Sequence, residues 1–183
     1  CWILILNFYY LLLLNASSGR SFSDAAQYPV FPWIVSPNLE CRDLSLPMGQ
    51  LSPKRAKHYD ETFNDTSPPY FYGCHYSLPG VIFWFLMRLP PFNFFLWDLN
   101  DGWDNSKRTF VSVSDAYISA SSTNQTDLKE LLPECYSVPE MFINVSNLSV
   151  EQPNVTLPEW SSNSPYLYTS MNRKFLESSN ELN

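Results

Sequence analysis

A mainly α domain, with short helices packed against extended non-regular core segments, is what this sequence predicts, and three observations predict it. Prolines number 15 against 5 glycines in 183 residues, and proline interrupts helices and central strands alike. Aromatic side chains make up 16% of the chain, so large rings fill the interior. Between the prolines, apolar residues recur at helical spacing, in short runs only. Hydrophobic residues at 45% and charged residues at 16% are a globular balance, and the length suits one domain or a large piece of one.

The elements follow in order. The run from Cys1 to Leu14 is apolar apart from Asn7. It stops short of the roughly 20 residues a membrane span needs. It also lacks the Met and basic start of a signal peptide, so it reads as a buried helix over about 3–14. QYPVFPWIVSP, 27–37, holds three prolines among apolar residues and reads as a buried extended strip. Ser52-Pro53 starts a helix that continues through Lys57, Tyr59 and Glu61, and Ser67-Pro68-Pro69 returns the chain to an extended aromatic stretch, YFYGCHY. Ser77 opens the next helix with Pro79 in its first turn. Its run VIFWFLM, Val81 to Met87, is apolar on all sides and belongs at the core's centre, and Pro90-Pro91 stops it. Phe92, Phe95, Leu96 and Leu99 repeat at helical spacing. Asn124 or Thr126 caps a short helix, DLKELL, ending at Pro133. The polar region 143–157 reads as a surface loop or weak hairpin. Ser164-Pro165 starts the last helix, with Tyr168, Met171, Phe175 and Leu176 as its apolar stripe.

Charge and motifs exclude more than they assign. A net charge of −7, with only Lys54-Arg55-Ala56-Lys57 approaching a basic cluster, argues against nucleic-acid binding. That cluster reads as a solvated helix face. Cys1, Cys41, Cys74 and Cys135 are widely spaced with no C-x-x-C pair, which leaves no compact zinc site. Four cysteines allow two disulfides in a secreted chain and four free thiols in a cytosolic one. Cys74 and His75 are adjacent in an extended segment and so point opposite ways, which disfavours a catalytic dyad; His58 lies on a polar, solvent-facing helix side. Asp98, Asn100, Asp101 and Asp104 miss the EF-hand register, with Gly102 at position 5 and Thr109 at position 12 counted from Asp98. Glu130 and Glu134 are separated by a helix-ending proline, and Glu134 and Glu140 read as backbone caps or arginine partners. No catalytic, cofactor-binding or metal-ligating residue is assigned.

Eight strings in collinear order nevertheless carry a specific resemblance. NFYYLLLLNASSGRSFSD (7–24), QYPVFPWIV (27–35), RDLSLPMGQLSPKRAKHYDETF (42–63), SPPYFYGCHYS (67–77), RLPPF (88–92), RTF (108–110), TDLKELLPECYSVPEMFIN (126–144) and LPEWSSNSPYLYTSMNRKFLES (157–178) resemble successive motifs of the BEACH domain family, leaning to its neurobeachin-like branch. The resemblance covers nearly the whole chain. It implies a compact, mostly helical domain whose core contains extended peptides. It also implies a non-catalytic scaffold in a large intracellular protein of vesicle trafficking, lysosome and autophagy pathways or receptor sorting, cytoplasmic and peripheral on endomembranes. A PH-like domain packed on the domain and other trafficking proteins are the implied partners, with WD40 repeats following, and no cofactor is implied. The family's closing W-I-D-L-I-F-G is missing by Asn183, so residues 1–183 are expected to be a partial domain. Tyr9 replaces the family's Glu, Lys107 stands where the family has Asp, and the loop from Asn144 to Leu157 is short.

The other reading is a secreted or membrane-tethered, disulfide-bonded glycoprotein. It rests on the apolar start, the four cysteines and N-x-S/T sequons at Asn15, Asn64, Asn124, Asn144, Asn147 and Asn154.

Overall fold

The structure is a computed structural model that describes residues 6–71, 78–124, 126–145, 147–148, 152–179 and 182. The chain is mainly α: α1 (Asn7–Ser17), α2 (Pro53–Asp65), α3 (Pro79–Leu86), α4 (Phe92–Asn100), α5 (Val113–Ile118) and α6 (Pro165–Glu177), linked by short 3-10 turns. Among the described residues, β pairing is limited to isolated bridges: Phe31 with Leu131, Val35 with Cys41, and Ser112 with Thr156.

The expected extended strip lies in the middle of the core, with Tyr28, Phe31, Trp33, Ile34 and Val35 all buried. Its prolines forbid a helix and a regular sheet ladder, so its backbone groups must find partners elsewhere. Side chains from distant segments supply most of them. Asn15, buried at the end of α1, donates from Nδ2 to Val30 O (3.0 Å) and accepts from Val30 N–H (2.9 Å). Arg20 donates to Tyr28 O at 2.9 Å, and Tyr136 Oη donates to Pro32 O at 2.5 Å. The Trp33 N–H donates to Glu130 Oε2 at 2.8 Å, while Arg42 Nη1 approaches Trp33 O at 3.3 Å. Phe31 exchanges two backbone bonds with Leu131, both 2.8 Å, and Ile34 O accepts from Arg42 N–H at 2.9 Å.

Helix α1 is fastened to α6 at its other end. The Asn7 N–H, one of the unpaired donors of a helix start, gives its proton to Glu177 Oε2 at 2.6 Å, where the helix dipole also favours a carboxylate. Asn7 Nδ2 donates to Leu176 O at 2.9 Å, and the Arg173 guanidinium lies 3.8 Å from the centre of the Phe8 ring. Helix α3 buries Ile82, Phe85 and Leu86, and an aromatic chain runs from Phe85 through Phe110 and Phe142 to Tyr168 of α6.

Several elements depart from their sequence reading. The DLKELL segment is extended, because Leu131 pairs with Phe31 and Glu130 reaches the strip; these tertiary contacts outweigh a helical pattern of only six residues. The apolar residues of α4 do not form one buried stripe: Leu96 is buried, while Phe95 and Leu99 are exposed. Region 143–157 is anchored rather than loose where described. Gln152 and Val155 are buried, and Asn144 Nδ2 donates to Gln152 O at 2.9 Å. Helix α5 and the π-helical turn after it, Ser119–Thr123, were not anticipated, although Ser112-x-x-Asp115 is a capping signature and Ser112 Oγ accepts from Asp115 N–H. Ser52 makes no side-chain capping bond, whereas Ser164 does.

The Arg42–Glu130 pair is 2.9 Å apart with both side chains under a tenth exposed. Removing one partner strands the other charge in the core, so Glu130→Ala is expected to cost about 3–5 kcal/mol. The double change Arg42→Met, Glu130→Leu is expected to recover a large part of that loss, and urea unfolding of the three proteins checks it.

Candidate functional site

Three arginines are buried in this fold, and each is held by oxygen atoms of segments remote in sequence. Arg42 contacts both Glu130 oxygens at 2.9 Å and donates to Leu46 O at 2.8 Å. Arg55, on α2 and 2% exposed, donates to Ala120 O and to Asp127 O (2.7 Å), so it pins the π-helical turn and the 127–132 segment to α2. The Lys54–Lys57 stretch is therefore not wholly a solvated face. Arg88, fully buried after α3, gives Nε and Nη2 to Pro153 O at 3.1 and 2.7 Å, and burial lowers its pKa to about 10.

The acids sit in two separate environments. Burial pushes the Glu130 carboxyl up, with Arg42 and the Trp33 N–H pulling the other way. Burial also raises Glu134, whose Oε1 accepts from Tyr28 Oη at 2.6 Å while Oε2 has no partner among the described residues. The arginine partner is thus Glu130; Glu134 is taken by a tyrosine, and Glu140 is exposed.

The remaining chemical candidates are dispersed. His58 is half-buried beside Tyr59, not on an open polar face. Cys74 and His75 lie outside the described residues. Cys41 is an exposed free thiol and Cys135 a fully buried one, whose pKa burial raises to about 12. Among the described residues no group of three His, Cys, Asp or Glu side chains is placed to hold a metal ion. The Asp98–Asp104 turn is the end of α4: Asp101 takes a left-handed conformation (φ 54°) and the Gly102 N–H returns to Trp97 O at 2.9 Å. The Asn15 sequon is occupied by the strip, since its carboxamide bonds Val30 on both sides. No described helix is long and apolar enough to cross a membrane.

Two surfaces expose large apolar side chains in groups. On α1 and the loop after it, Leu6, Tyr9, Tyr10, Leu13, Leu14 and Phe22 are exposed, and a groove of about 660 Å³ lies between Leu12, Leu13, Phe22 and Pro29. On α4, Phe94, Phe95, Trp97 and Leu99 are exposed. The helix expected to be buried over about 3–14 is found over 7–17 with an exposed apolar side, and the helical spacing of Phe92 to Leu99 is found as α4, also with an exposed apolar side. A continuous apolar run carries no mark of which side meets solvent.

A helix-rich domain with an extended core peptide clamped by buried polar side chains, and with apolar faces turned outward, is the class that fold and surface define. The chain belongs to the Beige/BEACH domain family, whose model matches residues 3–183. It is 39% identical over 199 residues to Beige protein homolog 1 of Saccharomyces cerevisiae, 38% over 196 to BEACH domain-containing protein B of Arabidopsis thaliana, and 37% over 196 to a putative neurobeachin homolog of Caenorhabditis elegans. Each match takes in 95% of this chain, but only 9%, 8% and 8% of the respective relatives.

Glu134 gives a pH signature. A carboxyl raised in the folded state contributes stability that is full below the ordinary Glu range and lost as pH rises through the folded-state value. Glu134→Gln is expected to flatten the fall in stability between acidic and neutral pH, leaving the part due to Glu130. Urea unfolding across that range measures the change in slope.

Proposed function

We propose that this chain is the central, non-catalytic part of a BEACH module that works as a protein-interaction scaffold in a large membrane-trafficking protein. The observation that carries the reading is the apolar outer face of α1, with Tyr9 54% and Leu13 56% exposed beside the Phe22 groove. Contiguous apolar surface of this kind marks a site that another surface covers. The covering element in this reading is a PH-like domain of the full-length chain. Tyr9 suits the role: where the family motif has a glutamate, this chain places an aromatic ring near Arg173 (5.6 Å) and extends the apolar surface.

The polar groups of the interior support the non-catalytic reading. Arg42, Arg55, Glu130 and Asn15 are consumed by backbone contacts within the fold, and catalysis needs groups free to reach a substrate. Peripheral attachment to cytoplasmic endomembranes, in vesicle, lysosomal, autophagic or receptor-sorting traffic, and WD40 repeats further along the chain complete the proposal.

The isolated chain is expected to bind a hydrophobic dye. Co-expression with the PH-like segment of its own transcript is expected to abolish that binding and slow amide exchange in α1. Leu13→Glu is expected to weaken the association by about tenfold, the scale of losing one interface anchor, with the melting temperature kept. A folded chain that binds no dye, or an α1 whose exchange is unchanged, contradicts the reading.

A further inference from the structure

We propose that a pocket beside α4 is a docking site for an extended, proline-rich peptide flanked by lysine or arginine. The pocket has a volume of about 550 Å³ and is walled by Pro90, Phe94, Trp97, Trp103 and Leu148, with Asn93 on its lining. Phe94 is 66% and Trp97 49% exposed. This face is separate from that of α1, so failure here leaves the α1 reading standing, and the reverse.

The chemistry selects the ligand. Trp33 and Trp84 donate their indole N–H groups to Lys129 O and Arg108 O, both at 2.9 Å. The indoles of Trp97 and Trp103 meet no acceptor among the described residues. Asn93 is 6% exposed, and its Oδ1 has no donor among them. The pocket therefore offers flat aromatic faces, two free indole donors and one carboxamide. A polyproline II peptide complements this set. It has no internal hydrogen bonds, so its carbonyls are free to accept from the indoles and the N–H of a non-proline residue is free to donate to Asn93 Oδ1, while its rings pack on aromatic faces.

Charge supplies the flanking requirement. Asp98 and Asp101 are exposed on the same helix end, form no ion pair among the described residues, and belong to a chain of net charge −7. Among the described residues no cation lines the pocket. Asp98 and Asp101 each follow a pocket ring, Phe94 and Trp97, by four residues, and carboxylates one helical turn from an aromatic pocket favour a basic ligand and repel an acidic one, as well as an anionic lipid surface. The α4 cap, through Gly102 N–H to Trp97 O, fixes the backbone between the two tryptophans before any ligand arrives.

The test is a fluorescence-anisotropy titration of the 183-residue chain into a fluorescein-labelled peptide of Pro-Pro-Leu repeats flanked by Arg and Lys. Parallel arms use the peptide with alanine for every proline, the peptide with glutamate for every base, and phosphatidylserine-containing vesicles. Saturable binding is expected for the first peptide only. It should weaken about tenfold in Trp97→Ala, as for an aromatic anchor, and weaken further with added salt. The pair Asp98→Asn, Asp101→Asn should remove most of the salt dependence, and Leu99→Ala, outside the pocket, should bind as wild type. Trp97 is half exposed, so the far-ultraviolet circular dichroism and melting of Trp97→Ala should match wild type. Should the isolated chain not melt cooperatively, the same titration on the natural full-length protein decides. Equal binding of the alanine peptide, indifference to Trp97→Ala, absence of binding, or binding of vesicles in place of peptide each overturns the proposal.

Discussion

An extended peptide placed inside a protein core presents backbone N–H and C=O groups sideways. Without a sheet on either side, each must be met by something else or be left at a cost of about 1–3 kcal/mol. The segment from Tyr28 to Val35 is such a peptide, and its proline pair, Pro29 and Pro32, rules out a ladder partner along its whole length. The groups that meet it come from the end of α1 (Asn15), the following loop (Arg20), the turn after the strip (Arg42), the 127–132 segment (Glu130, Leu131) and the 3-10 turn at Tyr136. Those residues fall within three of the eight strings that resemble family motifs, and the strip itself is a fourth. In this chain those strings include the complementary surface of one buried peptide, and their spacing along the chain reflects where that peptide needs partners.

This dependence explains which parts were legible from sequence. Proline and Ser-Pro starts announce their structure locally, so the strip, α2 and α6 are found close to where they were expected. The DLKELL segment fails for the converse reason. Its helical pattern is real, but Glu130 and Leu131 make more contacts as extended chain, with Trp33 and Phe31, than one short helix offers. The partner of Arg42 was equally hidden, because nothing in the spacing of 88 positions links it to Glu130 rather than to Glu134 or Glu140. Arg55 looked like part of a basic surface and is a core residue, since its carbonyl acceptors at Ala120 and Asp127 become neighbours only in the folded chain.

The same arrangement shapes the surface: Arg42, Arg55, Arg88 and Glu130 are turned inward onto backbone, while α1 and α4 expose aromatic and aliphatic side chains. Both helices owe their outward apolar faces to the same cause: the inner sides already bury Phe8, Leu11 and Leu96, and the chain continues apolar beyond what the core absorbs. These faces are preformed on helices whose inner sides pack on the core around the buried strip.

Native-state hydrogen exchange at the strip tests this account most directly. The amides of Val30, Phe31 and Trp33 donate to Asn15, Leu131 and Glu130 respectively. If the strip is the element on which the packing depends, these three exchange only with global unfolding, at the same free energy as the slowest amides of α3 and α6. Exchange of the three by local opening, while α3 and α6 stay protected, would show a loosely held loop and contradict the central claim.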